Sequence, residues 1–219
     1  MHFLSHYYVD RHDADPYQIV GALLPDISPG FTRTYNAVIR KNDWTMEQEP
    51  ARIHTGVLRH YDVDRQFHGS EVFQEASARA LTALIGSGLD RDRYRLSFVA
   101  HIAVELLLDR LLISTDAGLV NVYYSLLESV ERDKLGVYLN YIMPDTQVTR
   151  TLLAFDRFRE IRFLQYFDHT DGAAEGLVRT TKRAIGVDFT EADRVKLLGA
   201  LHNIEGEMRY SWHKLLEVK

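Results

Sequence analysis

LSFVAHIAVELLLDRLLI, residues 96–113, contains the longest apolar run of the chain. Its middle is apolar on every side, which is typical of an α-helix buried in a core. The run nevertheless carries His101, Glu105 and Asp109, spaced four residues apart. Because an α-helix has 3.6 residues per turn, each step of four rotates by only about 40°, so the three side chains form one stripe. We therefore predict a core helix with a polar stripe.

Helical periodicity continues from this stretch toward both ends of the chain, and no convincing strand pattern appears. We expect the side chains of Ser70 and Thr190 to cap helix N-termini. Asp15 is a third expected cap, and we expect the helix that it begins to end at Pro25. Residues 147–167 are expected to form one long helix. The pattern as a whole predicts an all-α fold.

No internal repeat, low-complexity segment or linker divides the chain. Its 219 residues, 46% of them hydrophobic, suffice for one sizeable core. We therefore expect a single domain that spans residues 1–219 and contains roughly seven to nine helices.

Composition excludes several classes of protein. The formal charge is -5, from 26 Lys and Arg against 31 Asp and Glu, so nothing overall favours a nucleic-acid partner. No cysteine is present, which excludes disulfides, thiolate catalysis and Cys-based zinc sites. The first residues do not resemble a signal peptide, and the longest apolar run is too polar to span a membrane. We expect a cytoplasmic protein, and any metal would be held by histidines and carboxylates.

A second stripe lies upstream, in GVLRHYDVDRQFHG, residues 56–69, where His60, Asp64 and His68 have the same spacing of four. Imidazole and carboxylate groups suit Mn, Zn or Fe when no thiolate is available, and this spacing lets two side chains of one helix converge on one ion. If the two striped helices pack face to face, they would supply four to six ligands, roughly the number for one or two divalent ions.

Two further residues are candidates by position. In FLSHYYV, His6 follows an apolar pair and leads into YYV, so its ring is expected to point inward. Asp26 follows the apolar helix end GALLP, where a carboxylate is placed to reach a core-facing site. Either residue is a further ligand or a group that orients a ligating imidazole.

Each candidate also has a simpler interpretation. The stripe that contains His101 is equally consistent with a buried cluster of paired and hydrogen-bonded charges. His60 and Asp64 fit an exposed ion pair of i, i+4 spacing. His68 at a helix end suits the helix dipole as an imidazolium. His6 alone would be a core histidine, and Asp26 alone a turn or cap residue.

Several short motifs occur in an order that resembles the acyl carrier protein phosphodiesterase family. They are MHFLSHYYV, GALLPDI, GVLRHYDVDRQFH, ELLLDRLL and FLQYFDHTDGAAEGLVRTTKRAI. That family is an all-α, divergent relative of the HD-domain metal phosphohydrolases. The resemblance implies a divalent metal, typically manganese, and release of 4′-phosphopantetheine from holo acyl carrier protein.

The resemblance also implies which residues form the site. The positions that match the family pattern are His6, Asp26, His60, Asp64, Glu105 and Asp109. The family usually has Asn where this chain has Ala22, Arg where it has Tyr61, and an acidic residue where it has His68. His101 lies outside the pattern and rests on its spacing alone.

From the stripes and the resemblance together we expect metal-assisted hydrolysis of a phosphodiester. One or two ions, expected to be Mn²⁺, would polarise the phosphate and lower the pKa of a bound water, and the serine oxygen of the carrier protein would leave. His60, Asp64 and His101 are the candidate catalytic residues, since a histidine there can transfer a proton instead of binding metal.

Binding of holo acyl carrier protein requires cations in spite of the negative total charge. DRFREIR contains Arg157 and Arg162, and RTTKR contains Arg179 and Arg183. We expect these four side chains to contribute to a substrate-binding patch. The simpler interpretation is that each lies on an ordinary solvated helix face.

Three functions stay open on the sequence. The first is the carrier-protein phosphodiesterase. The second is another HD-like metal phosphohydrolase that acts on a nucleotide or a small phosphate ester. The third is a non-catalytic helical protein in which the stripes are structural ion-pair networks. The sequence does not indicate an oligomeric state.

Overall fold

A computed structural model of the chain describes residues 1–39 and 48–218. This part of the chain forms eleven α-helices and three short 3-10 helices and contains no strand, so the predicted all-α class is confirmed. The number of helices exceeds the predicted number. The α-helices are α1 (Phe3–Asp10), α2 (Pro16–Ile27), α3 (Phe31–Ile39), α4 (Gln48–Gly69), α5 (Glu71–Gly86), α6 (Leu96–Thr115), α7 (Leu119–Glu128), α8 (Arg132–Ile142), α9 (Asp145–Ile161), α10 (Thr170–Ile185) and α11 (Glu191–Met208).

The three predicted N-caps are confirmed. The side chain of Asp15 accepts hydrogen bonds from the backbone N–H groups of the second and third residues of α2. Ser70 accepts one from the third residue of α5, and Thr190 accepts one from the third residue of α11. These short polar side chains satisfy N–H groups that have no partner within the helix, which is why the sequence signal is reliable here.

Two predicted helix ends are wrong. α2 does not end at Pro25 but continues to Ile27, because a proline in the last turn removes only one backbone hydrogen bond. Residues 147–167 do not form one helix: α9 ends before Arg162, which adopts a left-handed φ of 48°, and a 3-10 helix follows. The Arg162 guanidinium lies against Glu128 and over the ring of Tyr124, contacts that are distant in sequence.

The chain forms two compact units, each built from separate segments. Unit 1 consists of Met1–Ser5, Arg65–Leu119 and Leu164–Lys219. Unit 2 consists of His6–Asp64 and Val120–Phe163. The expectation of one domain over the whole chain stays a prediction.

Helix α6 is the central element of unit 1, as the sequence predicts. Its buried residues run almost without interruption from Val99 to Ile113, and α5, α10 and α11 pack against it. Surrounding helices therefore cover most of its circumference, which explains why its apolar residues are not confined to one face.

In unit 2, two glycines bring α2 and α4 into close contact. A Cβ atom on Gly56 would lie 1.9 Å from the backbone oxygen of Gln18, and one on Gly21 would lie 2.0 Å from that of Ile53. No side chain larger than hydrogen fits at either position. Helices α3 and α9 pack against α2, and α8 packs against both α3 and α9.

None of the helices in the described part of the chain combines the length and the apolar character needed to cross a bilayer.

Candidate metal sites

Two groups of side chains in the described residues have the spacing of metal ligands. The first, which we call site A, lies in unit 2. The second, which we call site B, lies in unit 1. Site A consists of His6 from α1, Asp26 from α2, and His60 with Asp64 from α4. Site B consists of His68 from α4, and His101 with Glu105 from α6.

Two stacked imidazole rings form the centre of site A. The rings of His6 and His60 have centroids 4.2 Å apart, and both residues are buried. One ligand atom from each of these histidines and one from Asp26 lie within 4.8 Å of one another. Asp64 adds a second carboxylate, with Oδ1 3.3 Å from His6 Nε2 and Oδ2 3.6 Å from His60 Nε2. Two nitrogens and two carboxylates therefore converge.

A backbone oxygen fixes the orientation of the His60 ring. His60 Nδ1 lies 2.8 Å from the carbonyl oxygen of Ala22, and because a carbonyl only accepts, Nδ1 carries the proton. Burial, with the nearby His6 as a second cause, lowers the pKa of His60 to about 3, so the ring is neutral. In this neutral tautomer the lone pair is on Nε2, the nitrogen that faces Asp64.

The close packing of α2 and α4 accounts for this hydrogen bond. Gly21 immediately precedes Ala22, and Gly56 lies one turn before His60 on α4. Since both glycines allow the two backbones to approach, the side chain of one helix reaches the carbonyl of the other. Asp26, one turn beyond Ala22 on α2, is thereby carried to the same site.

Of the two site A residues on α4, Asp64 is the more exposed. Its side chain is 27% exposed, whereas that of His60 is 3% exposed. Burial raises the pKa of Asp64, but opposing interactions, the largest of which is the hydrogen bond from His6, outweigh burial and hold the pKa below its usual range. Asp64 is therefore ionised at neutral pH and available as a ligand or as a proton acceptor.

Tyr61 is a neighbour of site A that the sequence did not single out for a role. Its ring packs edge-on against that of His60, and its hydroxyl donates to Thr32 Oγ1 at 3.1 Å. Burial raises its pKa, and the negative charges of Asp26 and Asp64 raise it further, so the phenol keeps its proton. In the sequence, this position is notable because the family that the chain resembles usually has an arginine there.

A second tyrosine near Tyr61 had no such signal. The Tyr35 ring lies 5.5 Å from that of Tyr61, and its buried hydroxyl has no hydrogen-bond partner among the described residues. Burial raises the pKa of Tyr35. Its position depends on the packing of α3 and could not be read from spacing.

Site B has one carboxylate between two imidazoles. Glu105 Oε1 lies 2.8 Å from His68 Nε2 and 3.2 Å from His101 Nε2. The two rings stack with centroids 4.8 Å apart, and the ring of Phe73 on α5 packs edge-on against both. Glu105 is buried, whereas the His68 and His101 side chains are 32% and 40% exposed. The site therefore opens to water on its histidine side.

Glu105 is ionised in spite of its burial. Burial alone raises its pKa, but the Met1 amino group and hydrogen bonds from His101 and His68 hold the pKa well below its usual range. The Met1 nitrogen lies 3.5 Å from Oε1, farther than either imidazole nitrogen. The Glu105 carboxylate is therefore negatively charged, and this charge faces the two imidazole rings.

Asp109 is the third residue of the predicted stripe of α6, but its contacts are with the N-terminal residues of the chain. It is fully buried, and Oδ1 accepts hydrogen bonds from the backbone N–H and the hydroxyl of Ser5. Oδ2 accepts from Leu4 N–H at 3.2 Å and lies 3.3 Å from His2 Nδ1. Asp109 therefore satisfies N–H groups at the start of α1, as an N-cap does. The structure does not bring it among the ligand-spaced atoms of either site.

The eight predicted ligands are thus divided in a way that the stripes did not indicate. His60 and Asp64 lie in site A, whereas His68, from the same stripe, lies in site B. His101 and Glu105 lie together, without Asp109. Of the predicted catalytic residues, two belong to site A and one to site B.

The four predicted substrate-binding arginines have different surroundings. Arg162 lies against Glu128 in unit 2, and Arg179 Nε lies 2.8 Å from Glu175 Oε1 in unit 1. Their charges are therefore partly neutralised. Arg157 of unit 2 and Arg183 of unit 1 are exposed.

Comparison with protein-family models, with curated proteins and with solved structures found no match for this chain.

Proposed function

We propose that this chain is a metal-dependent phosphodiester hydrolase and that site A is its reaction centre. The observation that supports this most is the geometry of His60, whose Nδ1 donates to the Ala22 carbonyl while Nε2 faces a carboxylate and a second buried histidine. Backbone carbonyls orient metal-binding histidines in the same way.

The donor set of site A fits a divalent transition metal. His6 and His60 offer nitrogens, and Asp26 and Asp64 offer carboxylate oxygens. This combination suits Mn²⁺, Zn²⁺ or Fe²⁺, and the resemblance favours Mn²⁺. When bound, such an ion supplies positive charge for a phosphate oxygen and lowers the pKa of a bound water.

The residues of site A would divide the remaining tasks. His6 and His60 would bind the ion and, because both are buried, would keep bulk water away from one side of it. Asp64, which is ionised and partly exposed, would bind through one oxygen or accept a proton from the attacking water. Tyr61 keeps its proton and would turn it from Thr32 Oγ1 toward a phosphate that enters beside it.

The substrate that the resemblance implies is holo acyl carrier protein. In that reaction the oxygen of water bonds to phosphorus, the bond from phosphorus to the serine oxygen breaks, and the serine oxygen takes a proton. The products are 4′-phosphopantetheine and the apo carrier protein.

A smaller phosphate ester is the second candidate substrate. Two of the four arginines expected to bind the acidic carrier, Arg162 and Arg179, are paired with carboxylates of their own unit. Tyr61 also stands where the family usually has an arginine. Both observations favour a substrate that needs fewer cations than a carrier protein does.

One experiment distinguishes the two substrates. Holo acyl carrier protein is incubated with the chain and Mn²⁺ and then weighed by mass spectrometry, and a parallel reaction contains bis(4-nitrophenyl) phosphate. Loss of the phosphopantetheine mass supports the carrier-protein reaction. Hydrolysis of the nitrophenyl diester with an unchanged carrier mass supports the smaller substrate.

The control is a histidine variant outside both sites. His202→Gln removes an exposed imidazole that bonds only within α11, and its activity should equal that of the unmodified chain. His60→Gln should abolish either reaction. If neither substrate is cleaved at any Mn²⁺ concentration, the proposed hydrolytic role of site A is contradicted.

A further inference from the structure

Site B is the strongest feature that the proposed function does not use. It lies in unit 1, and the hydrolytic role is assigned to site A in unit 2. We propose that site B binds a divalent transition-metal ion of its own, through His68 Nε2, His101 Nε2 and Glu105 Oε1. This inference goes beyond the proposed function and holds whether or not the chain hydrolyses a phosphodiester.

The distances within site B match those between ligands of a single ion. Bonds of about 2.0–2.2 Å that meet at about 90–110° place neighbouring ligand atoms about 2.8–3.6 Å apart. The two nitrogen-to-oxygen distances are 2.8 Å from His68 and 3.2 Å from His101. One ligand atom from each of the three residues lies within 4.8 Å of the others. An ion therefore needs only small rotations of these side chains.

Packing holds the three side chains in place. His101 and Glu105 are one turn apart on a helix that is buried along most of its length. The ring of Phe73 contacts both imidazoles edge-on, at 5.0 and 4.9 Å between centroids. Little side-chain entropy therefore remains to be lost when an ion binds.

The chemistry of the donors indicates the class of ion. Two imidazoles and one carboxylate suit Zn²⁺, Mn²⁺ or Fe²⁺, whereas Ca²⁺ and Mg²⁺ prefer oxygen ligands. Three protein ligands leave coordination positions for water, and the exposed edges of His68 and His101 give water access to them. An ion in site B would therefore keep coordination positions that water can occupy.

Site B should bind more weakly than site A. It has one carboxylate, whereas site A has two, and the Met1 amino group adds a positive charge 3.5 Å from the shared oxygen. We therefore expect an increasing concentration of chelator to remove the ion of site B first.

The test is the number of ions bound per chain. Metal-free protein is dialysed against Zn²⁺ and, separately, Mn²⁺, and the bound metal is measured by elemental mass spectrometry. The unmodified chain and the control His202→Gln should bind two ions. The double variant His68→Gln with His101→Gln should bind one, and so should His60→Gln.

The outcomes separate the two sites. Site B is refuted if the double variant binds as much metal as the control, or if the unmodified chain binds a single ion that His60→Gln removes. Site A alone is refuted if His60→Gln keeps two ions while the double variant loses one. Circular dichroism verifies that each variant is folded, and the double variant is expected to fold because His68 and His101 are partly exposed.

Discussion

At the scale of single residues, His60 and Asp109 show how the same spacing serves two purposes. The carbonyl of Ala22 orients His60 so that its lone pair faces Asp64. Asp109 instead accepts hydrogen bonds with both oxygens from the start of α1. The partners of a buried polar side chain, and not its place in a stripe, determine whether it is available as a ligand or holds the backbone of another helix.

We predict that Asp109→Asn lowers the free energy of unfolding by about 2–4 kcal/mol, because the amide leaves buried N–H groups without an acceptor. Urea denaturation measures the change. Asp92→Asn, at an exposed loop position, is the control and should change stability by less than about 0.5 kcal/mol. Loss of bound metal with unchanged stability would show instead that Asp109 is a ligand.

At the scale of helices, the contact between α2 and α4 determines the geometry of site A. Gly21 and Gly56 remove the side chains that would separate the two helices. His60 can then reach across to Ala22. The glycines of GALLPD and TGVLRH therefore have a structural reason, which is close backbone approach.

We expect Gly56→Ala to destabilise the chain by about 1–3 kcal/mol and to lower the affinity of site A for Mn²⁺, because the added methyl group overlaps the backbone of α2. Thermal unfolding and metal titration measure the two effects. Gly199→Ala is the matched control: nothing lies within 4 Å of a Cβ atom there, so it should stabilise α11 by about 0.5–1 kcal/mol. Equal stabilities for the two variants would contradict this explanation.

Glu205 of α11 connects three helices of unit 1. It is buried, its Oε1 lies 2.9 Å from Arg209 Nη2 and 3.8 Å from Arg110 Nη2, and it accepts a hydrogen bond from Thr170. Burial raises its pKa, but these hydrogen bonds and charges outweigh burial and lower it. The ionised form is therefore the one that stabilises the fold.

We predict that Glu205→Gln is less stable than the unmodified chain at pH 7 and that the difference shrinks with acid. A carboxylate with a lowered pKa contributes fully above its unfolded value of 4.5, and its contribution disappears as the pH falls through the folded value. Urea denaturation at several values of pH measures the difference. Glu207→Gln, an exposed position on the same helix, is the control and should change stability by less than about 0.5 kcal/mol.

Local signals account for what could be predicted at this scale. Asp15, Ser70 and Thr190 cap their helices because a cap depends on residues only a few positions away. The end of α9 at Arg162 could not be predicted, because the contacts of that side chain are with residues over thirty positions earlier in the chain.

The candidate sites show the same limit. From the spacing of four, the sequence predicts which side chains share a helix face. His60 does lie beside Asp64, and His101 lies beside Glu105. The spacing could not show that His68 would join the second pair and not the first. That outcome depends on which helices pack together, and periodicity within one helix does not contain it.

At the scale of the whole molecule, metal binding at the two proposed sites would make the stability of the fold depend on metal. An ion that binds the folded chain and not the unfolded chain stabilises the fold by about 2.7 kcal/mol at a free concentration of a hundred times its dissociation constant. We therefore expect Mn²⁺ or Zn²⁺ to raise the midpoint of thermal unfolding. Mg²⁺ at the same concentration should have little effect, because it prefers oxygen ligands.

The control for this effect combines three substitutions. A variant with His60→Gln, His68→Gln and His101→Gln should unfold at a temperature that Mn²⁺ does not change. A shift as large as in the unmodified chain would place the stabilising ions elsewhere.

Hydrolysis of bis(4-nitrophenyl) phosphate as a function of Mn²⁺ concentration tests a hydrolytic site A most directly. The unmodified chain, stripped of metal, should be inactive and should recover activity as Mn²⁺ is added. His60→Gln should be at least about 100-fold slower at every concentration, since it loses a ligand, while His202→Gln should match the unmodified chain. Equal rates for the unmodified chain and His60→Gln would contradict the proposed role of site A.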